Sequence, residues 1–278
     1  MAKTYYEVLN RASSFLTSQG KEGAAILFVF LGRKGWSKTD WLLQMKAAIS
    51  PEEIAQVEQD TEALLKDVPP QYLLGFEEFY GRQFQVTPAT LIPRPETEEL
   101  VELVLAQVSD EQLRVVDIGT GTGVIAISLK LARPNWQVTA VDLSTEALAV
   151  AEENARQLAA DVRFLASDVL GAVNEVDVIV SNPPYIAADE WREMDASVRK
   201  FEPKMALFAE DNGLAIYRQI AQEAQQKLSV NGQIFLEIGY QQGAAVKALF
   251  EAAFPDKKVQ LHQDLSGHDR MIQVGNCG

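Results

Sequence analysis

An α/β fold, with a mostly parallel sheet covered on both faces and a small helical bundle ahead of it, is what this 278-residue sequence predicts. Three observations carry that expectation. From Leu113 onward, short β-rich runs alternate with helical stretches at the spacing of strand–helix–strand units. The first 75 residues show helical periodicity instead. Between the two, Gly75 and Gly81 punctuate aromatic, alternating residues (Phe76, Phe79, Tyr80, Phe84, Val86), which suggests a short hairpin joining two domains.

The helical part is expected over residues 1–75. Val8, Leu9, Ala12, Phe15 and Leu16 form one apolar stripe. Ser50-Pro51-Glu52-Glu53 supplies an N-cap, a proline at the first helical position and a glutamate three residues after the cap. Ile54, Val57, Leu64 and Leu65 then share a face, and Trp36, Trp41, Leu42 and Met45 are expected to close the bundle. Such stripes are first of all core; the polar face remains to dock a partner. The hairpin is expected within 76–90 and the α/β domain over 91–278. Its strands are expected at Arg114–Ile118, Gln137–Val141, Val162–Leu165, Asp177–Ser181, Gln233–Ile238, Lys258–Leu261 and Met271–Val274. Helices fit at Val124–Leu131, Thr145–Gln157 with Ser144 as cap, Leu214–Leu228 and Ala244–Phe250. No internal repeat or low-complexity tract is present.

Composition narrows the function classes. With 47% hydrophobic and 23% charged residues and a mean hydropathy of −0.07, the chain reads as an ordinary soluble one. The longest apolar run, Ala24 to Leu31, has 8 residues, against about 20 for a membrane-spanning helix. The N-terminal residues lack the apolar stretch of a signal peptide, so a cytoplasmic protein without a membrane partner is expected. The single Cys277 precludes an intrachain disulfide, and with His262 and His268 as the two histidines no metal site is expected. Of the net charge of −14, residues 1–75 carry −1 and the rest −13. Such a body repels a phosphate backbone, so nucleic acid is not an expected partner.

The first chemical signal is Val116-Asp117-Ile118-Gly119-Thr120-Gly121-Thr122-Gly123, a predicted strand end leading into a helix. Glycines there let the backbone turn sharply and approach a ligand; a purely structural tight turn would use them equally. Asp142 follows Gly119 by 23 residues and ends the second strand, where it can accept from both ribose hydroxyls of an adenosine. Dinucleotide-binding dehydrogenases share this much, but their G-x-G-x-x-G fingerprint has glycine where Val124 stands. The tighter G-x-G-x-G form, with Asp117 two residues ahead, resembles the first motif of S-adenosylmethionine-dependent methyltransferases. In that class an Asp after the third strand typically accepts from the adenine amino group, which points to Asp168, with Val169 packed on the adenine ring. The plainer reading of Asp168 is a loop residue capping the next segment.

The most informative stretch is Asn182-Pro183-Pro184-Tyr185, at the end of the predicted fourth strand. Two consecutive prolines hold the backbone rigid and leave carbonyls free as acceptors. Asn182 adds a side-chain carbonyl and Tyr185 a flat aromatic face, together a clamp for a planar –NH2 group. An amide or aryl amine nitrogen is a poor nucleophile because its lone pair is conjugated. Accepting both of its N–H bonds orients that lone pair and stabilises the charge that develops on nitrogen. Holding nucleophile and methyl in line contributes about 7–11 kcal/mol.

Taken with Leu91-Ile92-Pro93-Arg94-Pro95-Glu96-Thr97-Glu98 and Gly119–Gly123, the tetrapeptide resembles the release factor glutamine methyltransferase family (PrmC, also called HemK). The similarity covers most of the chain, including the helical N-terminal region, Gln71-Tyr72-Leu73-Leu74-Gly75, Arg199-Lys200-Phe201-Glu202-Pro203 and Asp264-Leu265-Ser266-Gly267-His268-Asp269-Arg270. His268, where Arg or a small polar residue is expected, departs from the pattern. The resemblance implies a seven-stranded, Rossmann-like class I methyltransferase fold with an N-terminal bundle and a linking hairpin. It implies methyl transfer from S-adenosylmethionine to the side-chain amide nitrogen of glutamine in the Gly-Gly-Gln motif of class I peptide chain release factors. A monomer is the expectation, although the sequence leaves the oligomeric state open. Carried over by residue, Gly119, Thr120, Gly121, Thr122 and Gly123 would cradle the methionine part of the cofactor, Asp142 the ribose, and Asp168 with Val169 the adenine. Asn182, also expected to touch the cofactor, would take one amide hydrogen on Oδ1 and the Pro183 carbonyl the other, with Pro184 and Tyr185 completing the clamp. For Arg94 and Glu96, pinning the hairpin to the sheet and contacting the cofactor remain equal readings, and residues 1–75 are expected to capture the protein substrate.

The tetrapeptide is shared with adenine-N6 methyltransferases of nucleic acid, which remain an alternative. The −13 body and the lack of a basic insertion oppose that reading. A binding protein with a vestigial fold is opposed by the intact Asn182, Asp142 and glycine loop. Another protein glutamine stays open as substrate.

Overall fold

A computed structural model describes residues 3–192 and 194–276; Cys277 lies outside them. The chain divides into two units, Met1–Phe76 with Asp195–Phe201 and Glu77–Met194 with Glu202–Gly278. The first unit is helical: α1 (Tyr5–Ser18), α2 (Ala25–Lys34), α3 (Lys38–Gln44), α4 (Pro51–Leu65) and the single turn α5 (Pro70–Leu74). Capping boxes start three of them, Thr4 with Glu7, Ser37 with Asp40 and Ser50 with Glu53. Leu9, Leu16, Ile26, Val57 and Leu64 form the core, and Tyr5, Phe30 and Trp36 pack ring to ring at 5.3–5.9 Å. Two residues expected inside are not. Leu42 is 70% and Phe15 48% exposed. Each sits one residue, about 100° of helix, from a neighbour that does face the core, Trp41 and Leu16. Asp67 holds both Lys21 and Lys200, and the two ammonium groups keep its carboxyl below the usual range.

The hairpin β1 (Phe76–Phe79) and β2 (Arg82–Gln85) follows, its first residue the last of the helical unit and the rest in the second unit. Its two-residue turn, Tyr80-Gly81, has φ of 50° and 72°, the paired positive values a tight twisted hairpin requires. The chain continues α6 (Pro95–Gln107), β3 (Arg114–Ile118), α7 (Val124–Ala132), β4 (Gln137–Asp142), α8 (Thr145–Gln157), β5 (Arg163–Ala166) and β6 (Val176–Ser181). Then come α9 (Ala196–Phe201, of the first unit), α10 (Glu210–Gly213), α11 (Ala215–Lys227), β7 (Leu228–Glu237), α12 (Gly243–Ala253), β8 (Lys258–Gln263) and β9 (Asp269–Gly275). Seven strands form one sheet in the order β5-β4-β3-β6-β7-β9-β8. All neighbours are parallel except β9, which runs antiparallel to β7 and β8.

Every expected strand is present, with ends shifted by a few residues; β7 starts five residues early, at Leu228. Helix α6 was not expected, although Pro95 at its first turn and the buried Leu100, Val101 and Val104 on one face announce it. Neighbouring strand residues feed opposite faces. Val116 and Ile234 pack with Tyr217, Ile220 and Phe250 of α11 and α12, whereas Val115 and Phe235 pack with Leu100, Ile127 and Trp136 beside α6 and α7. The hairpin is held to α8 by Asn154, whose side-chain amide exchanges hydrogen bonds with Gln85 N (2.7 Å) and Gln85 O (3.1 Å). No described helix is long and apolar enough to cross a membrane.

Candidate active site

Strands β3 and β6 are neighbours, with β4 and β5 on one side and β7 onward on the other. In a doubly wound sheet the crevice at such a reversal, outside the C-terminal strand ends, is where ligands bind. A cavity of about 290 Å³ lies there, walled by the loop after β3, the residues just beyond β4, β5 and β6, and the stretch before α6.

The loop after β3 is tied to β4 through Gly119 N and Thr120 N, which both donate to Val141 O at 2.9 and 3.0 Å. Gly119 and Gly121 have φ of 69° and 56°. A Cβ on Gly119 would meet nothing within 4 Å, and one on Gly121 only the Gly119 carbonyl, at 4.0 Å. Both would project into open space, so the loop offers a bare backbone cradle, with Thr120 and Thr122 also on the wall. Gly123, expected in the cradle, does not wall the cavity. A Cβ there would lie 2.9 Å from Ile127 Cδ1 and 3.1 Å from Ala151 Cβ, so this glycine serves close packing of α7 and α8.

Asp142 Oδ2 accepts from Gly121 N and Oδ1 from Ser144 N, both at 2.9 Å. A carboxylate offers about four lone-pair sites, so each oxygen can accept once more. Behind the loop, Asp117 is fully buried and its carboxyl is pushed up to about 7 by that burial. Its Oδ2 accepts from Thr120 Oγ1 (2.6 Å) and Ala126 N (3.2 Å). Asp168 and Val169 both wall the cavity. The next element is β6, so Asp168 has no helix to cap. Val169 has φ 45°, an outlier for a β-branched residue. Ser167 Oγ, donating to Val169 O at 3.1 Å, and Glu223, accepting from Leu170 N at 2.8 Å, hold that turn.

Of the tetrapeptide, Asn182 and Pro184 wall the cavity; Pro183 is buried, Tyr185 is half-buried, and neither reaches the wall. Burial pushes the Tyr185 phenol up to about 12, which keeps the ring neutral. Four residues around this segment have no role assigned from the sequence, Thr97 among them although it lies in the Leu91–Glu98 motif. Asn182 Nδ2 donates to Thr97 Oγ1 at 3.0 Å, and Thr97 Oγ1 donates to Glu237 Oε2 at 2.7 Å. Gln242 Nε2 donates to the Tyr185 carbonyl at 2.9 Å, and Gly213 passes close against the same group. One signal was available: Glu237 is an acid directly following the apolar run Ile234-Phe235-Leu236, in a strand buried on both faces.

Arg94 walls the cavity and its Nη2 lies 2.6 Å from Glu202 Oε1, while Glu202 Oε2 accepts from Ile92 N at 3.1 Å. Arg94 thus ties the stretch before α6 to Glu202 rather than the hairpin to the sheet. Glu96 does not wall the cavity and stands in the first turn of α6. The ring of His268 stacks edge-on to Tyr240 at 5.8 Å.

Residues 7–75 match the PrmC N-terminal domain and residues 97–201 the Methyltransferase small domain. A release factor glutamine methyltransferase of Enterococcus faecalis is 58% identical over 98% of this chain and 99% of its own length. That of Bacillus subtilis is 40% identical over 97% of both. Among solved structures, a methyltransferase from Pyrococcus furiosus aligns over 78% of this chain and 98% of its own, with a TM-score of 0.55 and 16% identity, a likeness of fold.

Proposed function

Because the chain belongs to the release factor glutamine methyltransferase family, we propose that it moves a methyl group from S-adenosylmethionine to the side-chain amide nitrogen of glutamine in the Gly-Gly-Gln motif of class I peptide chain release factors, in translation termination. The observation that carries this reading is the state of Asn182 on the cavity wall. Its NH2 group is engaged by Thr97, so Oδ1 is the group left to accept from a substrate amide. In this proposal the Pro183 carbonyl takes the second amide hydrogen and Pro184 and Tyr185 flank the amide plane, roles that place the glutamine beyond the stretch of wall formed by Asn182 and Pro184, since Pro183 and Tyr185 do not line the cavity. The donor set and the open cradle suit S-adenosylmethionine. The backbone of Gly119 and Gly121, with Thr120 and Thr122, would hold its methionine part, Asp142 its ribose hydroxyls, and Asp168 and Val169 its adenine. When bound, it supplies an electrophilic methyl on a sulfonium sulfur. Two acceptors on one –NH2 turn the nitrogen lone pair toward that methyl and stabilise the positive charge that develops on nitrogen. The methyl–sulfur bond would break as the nitrogen–methyl bond forms, its electron pair staying on sulfur to leave neutral S-adenosylhomocysteine, and the surplus proton on nitrogen leaves to solvent.

The helical unit is proposed to capture the release factor, since a stable protein contact buries about 1,200–2,000 Å², more than one glutamine side chain offers. In this reading the enzyme works as a cytoplasmic monomer. Mass spectrometry of a class I release factor after incubation with enzyme and S-adenosylmethionine tests it: the peptide bearing Gly-Gly-Gln should gain about 14 Da, one methylene, on the glutamine. An unmodified glutamine beside methylated adenine in added duplex DNA would overturn it.

A further inference from the structure

A side-chain amide can present either end, and only one end of Asn182 suits a substrate –NH2. Three residues from three distant parts of the chain decide which. Thr97 lies in the first turn of α6, Glu237 at the end of β7 and Asn182 just beyond β6. Thr97 and Glu237 are 3% and 2% exposed. The Thr97 hydroxyl has one hydrogen, and it is directed at Glu237 Oε2 at 2.7 Å. Toward Asn182, 3.0 Å away, Thr97 can then only accept. With the amide reversed, two oxygens would face each other there and an N–H would confront the substrate's N–H.

We propose that Thr97 and Glu237 are positioning residues for the reaction: by accepting the single hydroxyl proton of Thr97, Glu237 fixes the Asn182 amide with its NH2 inward and Oδ1 toward the substrate. This rests on the reading that Asn182 Oδ1 accepts from the glutamine amide. The polarity of the chain depends on Glu237 being ionised. A protonated Glu237 can donate to Thr97 Oγ1, which frees the Thr97 hydrogen for Asn182 Oδ1 and withdraws that acceptor from the substrate. Burial raises the Glu237 carboxyl to about 7, against hydrogen bonding from Thr97, the charge of Arg270 and, to a smaller extent, hydrogen bonding from Asn182. The charged and titratable groups facing it are Arg270 on β9, Glu96 on α6, and two tyrosines, Tyr185 and Tyr217, the latter donating to the Glu237 carbonyl at 2.9 Å. Arg270 stays cationic and both phenols stay neutral across neutral pH, since their values are raised.

Turnover of a class I release factor at saturating S-adenosylmethionine, beside calorimetric affinity for S-adenosylmethionine, tests the proposal. Thr97→Val should lower kcat about tenfold or more, the scale of a lost buried hydrogen-bond partner, with cofactor affinity unchanged. Thr97→Ser should restore most of the loss. Adding Thr97→Val to Asn182→Ala should cost nothing further, because the relay acts only through Asn182. Wild-type kcat in Thr97→Val, or an equal loss on the Asn182→Ala background, overturns the proposal. Wild-type kcat in Asn182→Ala alone would instead bring down the reading beneath it. Where Thr97→Val fails to bind cofactor, Glu237→Gln decides. The wild type should lose kcat as pH falls through about 7, and the Gln variant, which can accept but not titrate, should stay level. An acid limb shared by both, or absent from both, overturns the proposal.

Discussion

Replacing Gly213 by alanine tests how tightly the Asn182–Tyr185 segment is held from behind. Asp211, Asn212 and Gly213 all have positive φ, of 55°, 53° and 81°. An alanine Cβ at 213 would lie 2.0 Å from the Tyr185 carbonyl oxygen and 2.5 Å from Gln242 Nε2, which itself holds that carbonyl at 2.9 Å. Cβ contacts below 3.0 Å essentially do not occur, so the turn or the carbonyl must move by about 1 Å. Left-handed backbone costs alanine about 1–2 kcal/mol, and overpacking adds about 1–3 kcal/mol. Gly267→Ala provides the control: φ is again 81°, but nothing lies within 4 Å of its Cβ, so it carries the backbone cost alone. By scanning calorimetry Gly267→Ala should lose about 2–8 °C in Tm, and Gly213→Ala about 4–20 °C, at about 2–4 °C per kcal/mol for a unit of this size. In initial-rate assays Gly213→Ala should lower kcat by about 10²-fold, the scale of a 1 Å misplacement. Gly213 does not wall the cavity, so cofactor affinity should stay near wild type. Equal Tm losses in the two variants, with kcat intact at 213, would show that this contact does not fix Tyr185.

Asp142→Ala should raise the KM for S-adenosylmethionine by about tenfold or more while leaving kcat at saturation within about threefold, since a ribose contact serves ground and transition states alike; an unchanged KM would remove Asp142 from the site. Asn182→Ala should do the reverse, with cofactor affinity retained and kcat reduced by about 10²-fold, the usual loss of one transition-state hydrogen-bond partner. Wild-type turnover would leave Asn182 a turn-former only. Glu237 titrates near 7 when folded against an ordinary 4.5, so its stability contribution is full below 4.5 and is lost as pH rises through about 7. Glu237→Gln should therefore be more stable than the wild type at pH 8, by up to about 3 kcal/mol at about 1.36 kcal/mol per pH unit, read as a higher Tm. That gain should vanish by about pH 4, and a gain independent of pH would exclude Glu237 as its source.

The parts of this site that are contiguous in sequence could be read from it. Gly119–Gly123 and Asn182–Tyr185 each lie within one turn of chain, and Asp142 ends an apolar strand run, so strand rhythm alone brings all three to the same sheet edge. Thr97, 85 residues from Asn182 and 140 from Glu237, became visible only once the order β3-β6-β7 set those strand ends beside α6. Gln242 likewise approaches Tyr185 through tertiary packing with no local mark of its own, whereas Asn212-Gly213 marks a turn but not the neighbour it packs against. Gly123 shows the converse. Three glycines at alternate positions look equivalent as letters, but the helix that starts at the third turns it toward Ile127 and Ala151. Leu42 failed because a seven-residue helix is too short for its apolar residues to define one face.

The membership of Asp195–Phe201 in the helical unit sets a schedule for the growing chain. Residues through Phe76 leave the ribosome first, with Lys21 available to Asp67, but the second partner, Lys200, is still unmade. At about 5–20 residues per second, the remaining stretch to Phe201 takes roughly 6–25 s to synthesise. Through that interval the bundle lacks its last segment, while the residues of β3 to β6 are made. The unit that is first in sequence is thus completed only after most of the parallel strands exist, and its maturation reports that synthesis has passed the Asn182–Tyr185 segment.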